Sequence, residues 1–200
     1  MPTNKYNKSE CQKNLRLMVA TTYKWQIEQW HKLVNSGALA GLPIELLEGD
    51  IVEMSPEGIE HSATNRSIGD YLRDLLEGKA YISESHPITL DNSEPEPDIA
   101  VVRLPSSIYH QHHPYAEDIY WLIEVSNHTL AKDLEIKTTT YARNGIPEYW
   151  VVDLKNKQLI VHTQPDRDKY LQVVTRDSGT VTPQAFSNCQ IPLNRILLSF

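Results

Sequence analysis

Cysteine is scarce in this chain, basic residues are outnumbered by acidic ones, and no apolar run is long enough to span a bilayer. The two cysteines, Cys11 and Cys189, lie near opposite ends, without partners at zinc-ligand spacing. They read as free thiols of a reducing compartment, with a single disulfide between them left open. Crossing a bilayer takes roughly 18 apolar residues or more, so a membrane-spanning helix is excluded. Met1 to Lys13 is polar and has no apolar signal core, which points to the cytoplasm. The glycines form no phosphate-cradling loop, and no Ser or Cys sits in the elbow motif of a covalent hydrolase. Nineteen Lys and Arg against 26 Asp and Glu leave a net charge of -7. That balance counts against a protein whose main task is to coat nucleic acid, because such affinity comes largely from neutralising phosphates. It is compatible with an enzyme whose acidic residues await a metal ion.

What is present is a chain of 200 residues, 40% apolar and 22% charged, enough for one domain with a full core. Residues 1–20 read as a flexible leader and 21–200 as a single domain. Tyr23 to Asn35 has helical spacing of Trp25, Ile27, Trp30, Leu33 and Val34. Ile44 to Met54 reads as a hairpin around Gly49, and His61 to Glu77 as a second helix stopped by Gly78. Three strands are expected at Ala80–Leu90, Asp98–Arg103 and Ile119–Val125, with a loop over Leu104–Asp118. A third helix, Thr129–Asn144, ends at Gly145, and a strand follows over Glu148–Leu154. Lys155 to Phe200 reads as a hairpin and a closing strand. The first three strands suit a meander. The strand–helix–strand step that follows requires a right-handed crossover and a parallel pair. The expected fold is α/β: a mixed β-sheet flanked by helices, with an extra N-terminal helix and hairpin.

Two acids stand where apolar residues belong. Asp98 opens Asp98-Ile99-Ala100-Val101-Val102, and Glu124 interrupts Trp121-Leu122-Ile123-Glu124-Val125. A carboxylate buried in a strand is costly unless compensated. A hard cation, Mg²⁺ or Mn²⁺, held by both is one compensation. The competing account makes Asp98 a turn cap after Pro97 and Glu124 half of a structural ion pair. Two such acids together favour the metal site. Asp133, Lys137 and Tyr141 fall at i, i+4 and i+8 of the third helix and share one face. If that helix lies over the end of the Glu124 strand, Lys137 reaches the acids. Otherwise Asp133 and Lys137 form a surface pair.

Several of these strings together resemble a known family. Glu124-Val125-Ser126, Asp133, Lys137, Tyr141-Ala142 and Asn144-Gly145-Ile146-Pro147-Glu148-Tyr149-Trp150-Val151-Val152-Asp153 are similar to the Uma-type restriction endonuclease family, a branch of the PD-(D/E)XK nuclease superfamily. Glu45 to Pro56, His61 and Pro97-Asp98 fit it too. The resemblance runs from about Tyr23 to the C-terminus. It implies a restriction-endonuclease-like core, a divalent metal and hydrolysis of DNA phosphodiesters, with Asp98 and Glu124 as metal ligands and Lys137 as catalytic lysine. The superfamily signature places its lysine two residues after the second acid. Here that position is Ser126, and the lysine has moved to the helix at Lys137.

Glu45 and His61 are candidates for supporting roles around the metal. Glu45 also reads as a paired structural acid, and His61 as helix-start chemistry. His110, His112 and His113 lack a further ligand for a closed zinc site and read as a solvated loop. Three functional readings follow. The first is a metal-dependent endonuclease acting on DNA, with a homodimer suited to cutting both strands. The second is a nuclease-fold binding or regulatory protein without hydrolysis. The third is a homodimeric interaction protein that uses Tyr149, Trp150 and Ile196-Leu197-Leu198 as its contact surface.

Overall fold

A computed structural model describes residues 22–127 and 132–198; the side chains of 132–134 lie outside that description. The expected leader and Cys11 therefore fall outside the described residues, as does the first turn expected for the third helix. Among the described residues, no helix is long and apolar enough to cross a membrane.

The chain runs α1 (Ile27–Asn35), β1 (Ile44–Leu47), β2 (Asp50–Glu53), α2 (Ile59–Leu75), β3 (Tyr81–Glu84), β4 (Ile99–Val102), β5 (Ile119–Ser126), α3 (Lys132–Arg143), β6 (Glu148–Asp153), β7 (Gln158–Asp166), β8 (Lys169–Arg176), β9 (Thr180–Val181) and β10 (Ile191–Pro192). Six strands form the central sheet in the order β3-β4-β5-β6-β7-β8. All its pairs are antiparallel except β5 with β6. The meander and the parallel step across α3 are thus both present, and the mixed α/β fold is the one expected.

Alternation along the strands assigns each residue to a face. Ile99, Val101, Trp121, Ile123, Trp150 and Val152 join Ile68 and Leu72 of α2 in one core. Ala100, Val102, Leu122, Tyr149 and Val151 join Tyr141 and Ala142 of α3 in another. The sheet therefore separates α2 from α3. Helix α2 forms because Ile68, Leu72 and Leu76 recur every four residues, each at most 1% exposed. Gly78, at φ 69°, supplies the left-handed conformation that follows its end.

Hairpin β1–β2 turns through Glu48 (φ 50°) and Gly49 (φ 75°), with Leu47 paired to Asp50. Two positive φ values in a two-residue loop match the twist of the flanking strands. The hairpin is fastened to α3, since Thr140 Oγ1 donates to Glu48 Oε1 at 2.9 Å and Arg143 pairs with Glu48 Oε2.

Three expectations need correction. The strand foreseen over Ala80–Leu90 ends at Glu84, because Ser85 is left-handed (φ 49°) and Pro87 has no N–H to give a ladder. Beyond it the chain is tied by turn bonds, such as Ile88 N to Pro95 O at 3.0 Å. The closing strand does not join the central sheet: β9 and β10 make a separate two-stranded ribbon. That ribbon serves packing, placing Val181, Ile191, Leu193 and Ile196 in the α2-side core. Finally, Tyr149, Trp150 and Ile196 are 0% exposed within the single chain, so they cannot be the contact surface of a dimer.

Candidate metal centre and catalytic cleft

The two acids of interest meet through strand register. Residues Ile99, Ala100 and Val101 of β4 pair with Ile123, Leu122 and Trp121 of β5. One step further along the same antiparallel register, Asp98 faces Glu124. Directly opposed residues have Cβ atoms about 5 Å apart. Asp98 itself is a bend just before β4, not its first residue. Its Oδ2 accepts the Val125 N–H at 2.6 Å, so the side chain continues the ladder that the backbone leaves. Both acids are nearly buried, at 8% and 7% exposure.

Helix α3 brings the ammonium. Lys137 Nζ donates to Glu124 Oε1 at 2.9 Å and lies 3.7 Å from Glu45 Oε2. One turn on, the Tyr141 hydroxyl donates to the same Glu124 oxygen at 2.9 Å. The shared helical face of Lys137 and Tyr141 is therefore turned to Glu124. Asp133 is in the same helix, and its side chain lies outside the described residues. Ser126 is two residues beyond Glu124 in β5 and lines the same cleft. No lysine stands at that strand position, and Lys137 reaches Glu124 from α3.

The remaining candidates are also local. His61, near the start of α2, sets Nε2 at 3.2 Å from Asp98 Oδ2. Glu45 of β1 is 6% exposed, and its Oε2 accepts the Glu96 N–H at 3.0 Å. It is a paired acid as well as a wall of the cleft. The cavity, of about 200 Å³, is bounded by Glu45, Glu53, Glu57, Glu96, Asp98 and Glu124, with His61, Ser126 and Lys137. The histidines at 110, 112 and 113 lie elsewhere, and His112 stacks on Tyr115 with ring centroids 4.6 Å apart.

Glu57 and Glu96 were not singled out from sequence. Glu96 had a signal: Glu94-Pro95-Glu96-Pro97-Asp98 alternates acid with proline, and extended backbone sends alternate residues the same way. Glu94 shows why the pattern alone misleads. It is buried, but Trp30 Nε1 (2.9 Å), His31 Nε2 (2.6 Å) and Thr89 Oγ1 (2.9 Å) hold its carboxylate away from the cleft. Glu57 precedes α2 and is exposed, so no burial pattern marks it.

Charge is out of balance in the cleft. Burial pushes Glu124 up to about 7; Lys137 pulls the other way, while Asp98 and Glu45 add to the rise. Burial likewise raises Glu96, and Glu45 adds to it. For Lys137, burial favours the neutral amine, yet Glu124 and Glu45 outweigh it and hold the ammonium charged. Burial opposes a charge on His61 also, but its bond to Asp98 prevails and the ring is raised above its usual value. One ammonium and one imidazole do not neutralise this many carboxylates. The donor set is oxygen-rich, partly open and short of positive charge, which fits a hard divalent cation.

Fold and cleft together define an α/β protein of nuclease-like architecture with buried acids at adjacent strand ends. The family Uma2, described as putative restriction endonuclease, matches residues 27–194, and the chain belongs to that family. A solved structure of similar fold is that of a putative nuclease belonging to DUF820 from Anabaena variabilis. The TM-score is 0.66 at 16% identity, with 86% of this chain and 97% of the other covered. No match was found among curated proteins.

Proposed function

We propose that the protein is a metal-dependent endonuclease that hydrolyses DNA phosphodiester bonds. The observation that carries this reading is the convergence of Asp98, Glu124 and Lys137 on one cleft, with Lys137 Nζ 2.9 Å from Glu124 Oε1. Asp98 and Glu124 would hold Mg²⁺ or Mn²⁺, which supplies charge neutralisation at a phosphoryl oxygen and acidifies an adjacent water. Lys137 provides a fixed positive charge beside the reacting phosphate and orients the attacking water. Tyr141 and Glu45 hold the Glu124–Lys137 pair in place: Tyr141 through the carboxylate, Glu45 through the ammonium. His61 does the same for Asp98. Ser126 lines the same cleft. A pair of such chains is suited to cutting both strands, and light scattering tests for that pair.

The test is incubation of the purified chain with supercoiled plasmid, single-stranded DNA and RNA, each with Mg²⁺, Mn²⁺ or chelator. Nicking of DNA that chelator stops and Glu124→Gln abolishes supports the proposal. Cutting unchanged by chelator or by Glu124→Gln sinks it. A nuclease-fold binding protein is the second reading. Its support is that Lys137 already neutralises part of the acid cluster. DNA retention with no cutting under any metal is its signature.

A further inference from the structure

The two edges of the central sheet differ in character. Strand β3 spans only Tyr81–Glu84 and carries the Arg73–Glu84 ion pair. Short length and charge keep an edge strand from pairing with another chain. The opposite edge, β8, is longer, at Lys169–Arg176. Its stretch Tyr170-Leu171-Gln172-Val173-Val174-Thr175 holds no charge, proline or glycine. Leu171 and Val173, two residues apart and so on one face, are 59% and 53% exposed. Among the described residues, no strand pairs with the outer side of β8. Such an edge is a template for a further strand.

Charge indicates which strand fits. Arg167 and Asp168 form the two-residue turn before β8, where Asp166 pairs with Lys169, and Arg176-Asp177 follow at its other end. All four are exposed, and among the described residues none makes an ion pair. Lay two copies of β8 antiparallel with Gln172 on the twofold axis, and Leu171 faces Val173 while Tyr170 faces Val174. The same register brings Asp168 to Arg176 and Arg167 to Asp177, each twice by symmetry. A shift by one residue sets Lys169, or Arg167, against Arg176, and like charges placed opposite are destabilising. A shift by two sets Leu171 against Thr175, or Val173 against Lys169, and loses the apolar pairs.

We infer that β8 is the surface by which two copies of this chain associate, edge to edge, with Gln172 at the axis. The inference does not depend on the chemistry of the cleft. Each copy offers the same patch, and the guarded β3 edge stops the assembly at two. Only one strand of each copy takes part, so the pair is weak and forms as concentration rises.

Sedimentation velocity of the full chain over rising concentration tests this. Wild type is expected to pass from one copy to two and no further. Arg176→Asp opposes Asp168 with a like charge and is expected to weaken the pair about tenfold or more, as is Asp168→Arg. The double variant Asp168→Arg with Arg176→Asp restores opposite charges and is expected to associate like wild type. Leu171→Ser is expected to weaken association while leaving the unfolding of the dilute single chain nearly unchanged. In a chain carrying Cys11→Ser and Cys189→Ser, Gln172→Cys is expected to oxidise to a cross-linked pair, because residues on the axis lie within disulfide reach. Thr175→Cys, far from its symmetry mate, is expected not to. Circular dichroism checks that each variant is folded. A chain that stays single at every concentration overturns the proposal. So does association indifferent to Arg176→Asp, a double variant no better than the single ones, or cross-linking at Thr175→Cys instead of Gln172→Cys.

Discussion

Ile123 and Glu124 are neighbours in β5, yet they serve opposite faces of the sheet. On the α2 face, Ile99, Val101, Trp121, Ile123 and Trp150 make an apolar layer closed by the C-terminal ribbon. On the α3 face the apolar layer of Leu122, Tyr149 and Val151 stops at the strand ends. There Glu45, Asp98, Glu124 and Lys137 replace it, and Tyr141 of the apolar layer turns its hydroxyl to Glu124. One face stores stability. The other gives some of it up, because burying several carboxylates around one ammonium is unfavourable in the absence of a counterion. A strand can serve both ends at once because its side chains alternate.

The largest expected effect separates the faces by activity. Glu124→Gln or Asp98→Asn should reduce metal-dependent cleavage by about a thousandfold or more, as loss of a key electrostatic group does. Thermal unfolding should show either variant at least as stable as wild type in metal-free buffer. A variant that cuts DNA normally would erase the distinction between the faces.

Next in size is stability. Trp150→Ala, at a site 0% exposed in the α2-side core, should cost about 3–5 kcal/mol in denaturant unfolding. Ile123→Ala should cost about 2–5 kcal/mol by the same mechanism. Little change in either would mean that the layer is not the stabilising one.

Lys137→Met should then lower cleavage by about a hundredfold. It should also raise Glu124 further, because the nearest positive charge is gone. Infrared titration of the Glu124 carboxyl band would read the shift, and an unmoved band would break the link between α3 and β5.

A pH effect sharpens the comparison further. Glu124 is raised to about 7 in the folded chain, above its unfolded value of 4.5. Between those values the folded state binds more protons than the unfolded one, so stability falls as pH rises. Metal binding must displace the proton, so Mg²⁺ or Mn²⁺ affinity should climb through about pH 7 and flatten above it. Calorimetric titration at several pH values checks this, and Glu124→Gln should flatten both profiles. The smallest effect belongs to the outer strand. Leu171 in β8 is 59% exposed, and Leu171→Ser should change stability by less than about 0.5 kcal/mol in the same unfolding assay.

Much of the cleft's lining was legible from residue type alone. Asp98 and Glu124 stood out because β-branched runs announce burial and acids contradict it. Lys137 and Tyr141 stood out because helical spacing put them on one side. Glu96 and Glu57 were missed for different reasons: Glu96 lay in a segment read only for its proline, and Glu57 precedes a helix where exposed acids are ordinary. Glu94 looks like its neighbours in sequence and proved to be fastened to α1, which no spacing could indicate.

The order of strands and helices, the buried runs and the presence of acids within them were written in the linear pattern, because periodicity is a local property of the chain. Which acid meets which cation was not. That depended on the β4–β5 register, which sets Asp98 opposite Glu124, and on the crossover that lays α3 over the end of β5. Register and packing are long-range choices made by the whole core, and only the folded chain makes them.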